Sequence, residues 1–112
     1  MEFEIKDLNP TKKAISFKFF KEEIEKEKTD VVNKIKRMAT LPGFRPGKVP
    51  PEIIKARFKK EIEEDILGNL IEKNVKEILK EKEWKLIGEV IFQEKAFEED
   101  FFKAEVEFYI LP

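Results

Sequence analysis

The sequence contains no cysteine and no histidine, and it has only one serine. The absence of cysteine excludes disulfides, thiolate nucleophiles and cysteine-based metal sites, and it fits a reducing compartment such as the cytoplasm. Ser16 falls in a predicted strand without a candidate base nearby in the sequence, so nucleophilic catalysis lacks its usual groups. We therefore expect that this chain is not an enzyme and that it uses no cofactor.

Long apolar runs are also missing. No segment approaches the roughly 20 apolar residues that a membrane-spanning helix needs, and the chain opens with strand-like alternation instead of a signal segment. Of the 112 residues, 41% are apolar and 42% are charged, with a net charge of -1, which is typical of a folded domain with a mixed-charge surface. These features predict one cytoplasmic domain over residues 1–112 that does not associate with a membrane.

The first part of the chain predicts two strands followed by a helix. Phe3 and Ile5 alternate with charged residues, a turn signal follows at residues 7–10, and residues 14–20 alternate again. Beyond residue 20, apolar residues recur at helical spacing. This helix should end near Thr40, because Pro42 disfavours helical geometry in the residue before it. Its apolar stripe consists of Ile24, Val31, Val32, Ile35, Met38 and Ala39.

A second, longer helix is predicted to begin at Pro50 and Pro51, since proline suits the first turn of a helix. Two further strands follow over residues 84–93 and 101–111, joined by an acidic turn at residues 98–100. The order strand, strand, helix, helix, strand, strand predicts an α+β fold, in which an antiparallel four-stranded sheet packs against two helices joined by an exposed loop. The stripe of the second helix, about eight turns long by the 3.6-residue period, contains Ile54, Phe58, Ile62, Ile66, Leu70, Ile78 and Leu79.

Positive charge is concentrated where the two predicted helices meet. Residues 34–60 carry nine basic side chains and a single acid, Glu52. The compensating acids lie mainly in residues 61–83 and 89–107, so the molecule is electrically polar. We expect an anionic partner to dock at this junction. The nine basic residues are Lys34, Lys36, Arg37, Arg45, Lys48, Lys55, Arg57, Lys59 and Lys60.

The junction is also rich in proline and glycine. A charge run alone is usually a solvated turn, but Phe44 lies in a segment without strand or helix period, where an aromatic residue is more often an exposed anchor. Arg45 can donate two parallel hydrogen bonds to a carboxylate or phosphate, whereas Lys48 acts as a point charge. The prolines restrict the loop and reduce the entropy lost on binding. The predicted binding site consists of Gly43, Phe44, Arg45, Pro46, Gly47 and Lys48.

Two other kinds of site are disfavoured by their spacing. Residues 43–48 superficially suggest a phosphate-binding P-loop, but that motif needs four residues between its glycines and Ser or Thr after its lysine. Here three residues separate the glycines, and Val49 follows the lysine. The acidic residues of segment 61–65 point in several directions on a regular helix, which favours a solvated face, so we expect no metal site.

Eleven phenylalanines are many for a chain of this length. Phe20, Phe97 and Phe101 fall outside the alternation of the strands, and we expect them to form an apolar patch for unfolded clients, a second domain or a second copy. The others that follow the alternation are expected in the core between sheet and helices. These are Phe17, Phe19, Phe92, Phe102 and Phe108.

The loop and its flanking helices closely resemble the N-terminal ribosome-binding domain of the trigger factor family of bacterial chaperones. Members carry a Gly-Phe-Arg-x-Gly-Lys signature at a helix-to-helix tip, which here is residues 43–48. The resemblance extends through an Asp-Ile-Leu stretch at residues 65–67 to the closing strand at residues 105–108, and it covers the whole chain. Pro46 departs from the family pattern, in which a basic residue is common at this position. This departure implies a stiffer loop with one fewer electrostatic contact.

The resemblance implies docking on the large ribosomal subunit beside the peptide exit tunnel. Arg45 would pair with an acidic side chain of the exit-site protein, Phe44 would fill an apolar pocket, and Lys48 would approach phosphates of adjacent ribosomal RNA. Nascent unfolded polypeptides are the second implied partner, and homodimerisation stays open. The family's peptidyl-prolyl isomerase and C-terminal chaperone domains would lie beyond residue 112. The alternative interpretation is a stand-alone nucleic-acid-binding domain that uses the same basic loop.

Overall fold

The computed structural model describes all 112 residues, as four strands and three helices. The predicted α+β class and the order of the elements are confirmed, with one additional helix. Along the chain the elements are β1 (Glu2–Asn9), β2 (Lys12–Phe20), α1 (Lys21–Met38), α2 (Pro51–Arg57), α3 (Lys59–Lys82), β3 (Leu86–Phe97) and β4 (Phe101–Ile110).

The four strands form one antiparallel sheet in the order β1-β2-β4-β3. Strand β2 is one of the two inner strands, and its alternation places Ile15, Phe17 and Phe19 on the inner face, where all three are buried, as predicted for the two phenylalanines. The facing side chains of β4 are buried with them, because opposite residues of paired strands point to the same face of a sheet. The helices cover this face, and one continuous core joins them to the sheet.

Helix α1 buries most of its predicted stripe, namely Ile24, Val31 and Val32, and Ala39 just beyond its end. Met38 was expected in the same stripe, but 75% of it is exposed. Met38 is the last residue of the helix, next to the loop, and the side chains that cover the rest of the stripe do not extend to it. Glu27 takes an unpredicted place among the buried residues and accepts a hydrogen bond from Lys73 of α3 at 3.2 Å.

The predicted second helix is interrupted at Phe58 and forms two helices, α2 and α3. Phe58 has φ -114° and ψ 26°, yet its amide still donates to the Ile54 carbonyl at 2.9 Å, and its carbonyl accepts from the Ile62 amide at 2.9 Å. Ile54 and Ile62 lie on either side of this interruption, and both are buried.

Strand β3 continues to Phe97, four residues beyond its predicted end at residue 93. Irregular pairing within the strand shifts its register, which is why simple alternation underestimated its length. Phe97 thereby reaches the inner face, where its ring lies edge-on to Phe102 at 5.0 Å between centroids. Phe20 and Phe101 pair on the outer face instead. The expected patch of Phe20, Phe97 and Phe101 is therefore wrong as a single surface, because its members lie on opposite faces.

The molecule is elongated, with principal extents of 55 × 26 × 21 Å. Ile62 near the start of α3 lies close to Phe102, whereas Trp84, just beyond its end, lies 6.4 Å from Phe108 between ring centroids. Helix α2 and the loop before it therefore lie beyond the Phe102 end of the sheet. No helix is both long enough and apolar enough to span a membrane.

Candidate functional site

The loop between α1 and α2 is held at both ends by buried residues. The amide of Ala39 donates to the Ile35 carbonyl at 2.8 Å, and Ala39 is 7% exposed. At the other end Val49 is fully buried, and Ile54 in the first turns of α2 is fully buried as well. The anchoring role of Val49 was not predicted, because a single apolar residue between charged and proline neighbours has no periodic signal. The exposed part of the loop is therefore a short segment attached to the core on both sides.

Two consecutive turns shape the exposed segment. The Phe44 amide donates to the Leu41 carbonyl at 3.2 Å, and the Lys48 amide donates to the Arg45 carbonyl at 2.9 Å. In each turn proline is the second residue and glycine the third, and both glycines have positive φ, 86° at Gly43 and 78° at Gly47. These are the sequence and backbone requirements of a type II turn. The Leu-Pro-Gly-Phe and Arg-Pro-Gly-Lys segments thus form two turns of the same type. Phe44 is the last residue of the first turn, and Arg45 is the first residue of the second.

The six predicted site residues lie together on this segment, and they divide into two groups. Phe44 is 39% exposed, and Arg45, Pro46 and Lys48 are exposed. The two glycines instead set the turns, since their conformation strains any L-residue with a Cβ. The residues predicted to contact a partner are therefore displayed to solvent, while glycine and proline fix the backbone that carries them.

The loop also lies against α2, which the sequence did not indicate. Loop residues and helix residues together line one shallow groove beside Phe44, whose partly exposed side chain forms one wall. The helix contributes Ile53, which is 36% exposed. A signal for this contact exists in the sequence, because residues 53, 56 and 57 share one helix face, but the face is too short to stand out. The lining residues are Leu41, Pro42, Phe44, Ile53, Ala56 and Arg57.

The basic residues of segment 34–60 are almost all without acidic partners. Only Lys55 forms an ion pair, with Glu52 at 3.9 Å and with both side chains largely exposed. The other eight have no carboxylate oxygen within 4.0 Å, among them Arg45, Lys48 and Arg57. Of the fourteen lysines elsewhere in the chain, five pair with a carboxylate, as in Lys95 with Glu64 at 2.8 Å. The predicted concentration of positive charge is thus a surface of free cations around the loop.

A basic loop with an exposed aromatic residue, displayed at one end of an α+β domain, has the features of a binding module. The chain belongs to the bacterial trigger factor family. The family model, described as bacterial trigger factor protein, matches residues 1–112, and the chain corresponds to the N-terminal domain, which is not the isomerase domain. Trigger factor is a chaperone.

Individual relatives agree with this assignment. The chain is 33% identical to the trigger factor of Desulforapulum autotrophicum over 88 residues, which are 79% of this chain and 20% of that protein. A solved trigger factor chaperone structure, studied for promiscuous substrate recognition in folding and assembly, is 26% identical with a TM-score of 0.71 over 96% of this chain and 26% of that one. A Thermotoga maritima trigger factor structure is 25% identical with a TM-score of 0.69, over 88% of each chain. The chain spans about a fifth to a quarter of the curated relatives it matches.

Proposed function

We propose that this domain docks a trigger-factor-type chaperone on the large ribosomal subunit beside the peptide exit tunnel. The observation that carries the proposal is the loop itself, in which Phe44 and Arg45 stand at the join of two type II turns amid unpaired cations. Turns that are already formed lose little entropy on binding. Family membership supplies the ribosome as the surface to be met.

Each exposed loop residue has its own part in this docking. Arg45 pairs with a carboxylate of the exit-site protein through two parallel hydrogen bonds, for which its free guanidinium is suited. Phe44 contributes apolar surface at the same point. Lys48 and the surrounding lysines approach phosphates of the adjacent ribosomal RNA, which adds affinity that depends on salt but not on sequence. Gly43, Pro46 and Gly47 hold the loop in the conformation that presents these groups.

Docking places the chaperone where unfolded nascent chains emerge in the cytoplasm. An open apolar groove between α3 and β3, lined by Val75, Leu79, Leu86 and Val90 among others, supports a secondary role of this domain in shielding such chains. In this proposal residues 1–112 form one docking domain, and the isomerase and C-terminal chaperone domains of the family belong to further sequence. The exposed apolar residues of this domain also leave room for homodimerisation alongside docking.

Co-sedimentation with purified ribosomes tests the docking proposal. A variant with Phe44→Ala, Arg45→Ala and Lys48→Ala should lose binding while its circular dichroism stays unchanged, because these side chains are exposed. The matched control replaces three exposed residues far from the loop, Ile87, Lys80 and Lys82, by alanine and should bind normally.

Retained co-sedimentation of the loop variant would refute docking through this loop. Tight binding to naked ribosomal RNA, with a steep salt dependence and no need of ribosomal protein, would instead support the nucleic-acid-binding alternative.

A further inference from the structure

We propose that α2 forms the second half of the docking face, with Ile53 and Arg57 contacting the protein partner directly beside Phe44. The inference rests on the proposed function, since it extends the same surface from the loop onto the helix. The partner segment that fits this face presents an apolar side chain next to a carboxylate.

The apolar part of the argument is the groove that joins the loop to α2. Ile54 is fully buried and fixes the helix on the core, and its neighbour Ile53 lies about 100° around the helix and is 36% exposed. Ala56 follows at the spacing that places it on the same face as Ile53. With Pro42 and Phe44 across the groove, these residues form a surface that continues the apolar contact expected of Phe44. The surface is mostly aliphatic, which suits a protein side chain better than a stacked base.

The charged part of the argument is the position of Arg57. It lies four residues after Ile53, lines the same groove, is exposed, and has no carboxylate within 4.0 Å. Arg45 is equally unpaired on the loop. One guanidinium that lines the groove, and a second on the residue next to Phe44, complement a carboxylate flanked by an apolar side chain, because each can donate paired hydrogen bonds.

The bend at Phe58 makes this arrangement possible. Helix α2 is only seven residues long, and the non-helical dihedral angles of Phe58 separate it from α3. The proline at its first position and the buried Val49 before it hold its start next to the loop. The loop and α2 therefore present one continuous surface, and α3 is left to pack on the sheet.

Titration of purified large ribosomal subunits with the domain tests the proposal. Ile53→Ser should weaken binding by about fivefold to thirtyfold, since it removes partly exposed apolar area at the centre of the contact. Ile87→Ser is the matched control, because Ile87 is 46% exposed at the opposite end of the sheet, and it should bind as the wild type does. Thermal unfolding of both variants checks that the fold is retained.

Arginine variants separate a direct contact from general attraction. Arg57→Gln should weaken binding by about threefold to tenfold, mainly through faster dissociation, and Arg57→Lys should restore only part of the loss because it lacks the paired donors. Arg37→Gln removes the same charge from a residue that does not line the groove, and it should mainly slow association.

The outcomes distinguish this inference from the function on which it rests. Binding lost by the loop variant and weakened by the Ile53 and Arg57 variants supports both. Binding lost by the loop variant but unchanged by Ile53→Ser and Arg57→Gln overturns the role of α2 and leaves loop docking intact. A wild-type domain that does not bind the subunit overturns both.

Discussion

Replacing Gly47 by alanine tests whether the second turn of the loop must be formed before binding. Gly47 has φ 78°, and a Cβ added there would meet no atom within 4 Å, so the penalty is one of backbone conformation and not of space. An L-residue in this left-handed region costs roughly 1–2 kcal/mol. If the loop must keep this conformation when it binds, the conformational cost of alanine at position 47 makes the free energy of binding less favourable by the same amount. The affinity for ribosomes should then fall by about fivefold to thirtyfold.

The effect on folding should be smaller than the effect on binding. The loop is exposed between its two anchors, so an alanine variant can leave the strained conformation without opening the core. Gly68→Ala is the matched control, because it is the same substitution at a helical position where a Cβ also meets nothing. That variant should gain about 0.8–1 kcal/mol of stability, since glycine disfavours the interior of a helix. It should bind ribosomes as the wild type does.

Urea denaturation followed by Trp84 fluorescence measures the stabilities, and co-sedimentation titrations measure the affinities. A chemically synthesised domain with D-alanine at position 47 favours positive φ and should bind at least as well as the wild type. Wild-type affinity in the Gly47→Ala variant would refute the reasoning, since it would show that the turn seen in the free domain is not the bound conformation. So would equal loss of affinity with D- and L-alanine.

Three further predictions concern the anchor, the loop charge and the sheet. Val49→Ala should lower the free energy of unfolding by about 1.5–3 kcal/mol in urea denaturation, because Val49 is fully buried, whereas Phe44→Ala, 39% exposed, should cost less than about 1 kcal/mol. Pro46→Lys should steepen the salt dependence of ribosome binding by about one phosphate contact in titrations at several salt concentrations, and an unchanged slope would contradict RNA contact at this position. The pKa of Lys12 is raised above its usual 10.5, chiefly by the Glu107 carboxylate, so this pair stabilises the fold at neutral pH and the contribution is lost as the pH rises through the raised value. Glu107→Gln should lower the pKa of Lys12 in an NMR titration, and an unchanged pKa would count against the pairing.

The parts of the fold that depend on local pattern could be predicted from the sequence. Alternation in β2 identified its buried face, and Pro42 marked the end of α1, because both signals act within a few residues. The bend at Phe58 could not be predicted in the same way, since no proline or glycine causes it. Both α2 and α3 pack on α1, which is distant in sequence, and a local pattern does not report such contacts.

The site shows the same division between local and tertiary causes. The exposed loop with Phe44 and Arg45 follows from proline, glycine and missing periodicity, and the two Pro-Gly turns could have been read from their repeated order in the sequence. The groove with Ile53 and Arg57 required the structure, because the loop must fold back on α2 before these residues meet.

The excess of positive charge in segment 34–60 gives a physical reason to regard this end of the molecule as a binding surface. Of the fourteen lysines outside segment 34–60, five pair with an acid, as in Lys6 with Glu105 at 3.4 Å and Lys73 with Glu27 at 3.2 Å. Of the nine cations of segment 34–60 only Lys55 does, and the segment holds a single acid, so mutual repulsion among these cations disfavours the free domain. The same crowding strengthens attraction to any anionic surface, and the stiff turns reduce the entropy lost when that surface is met. Compared with a region of balanced charge, the loop region therefore stabilises the fold less and binds an anionic partner more strongly. This is the behaviour expected of a binding surface.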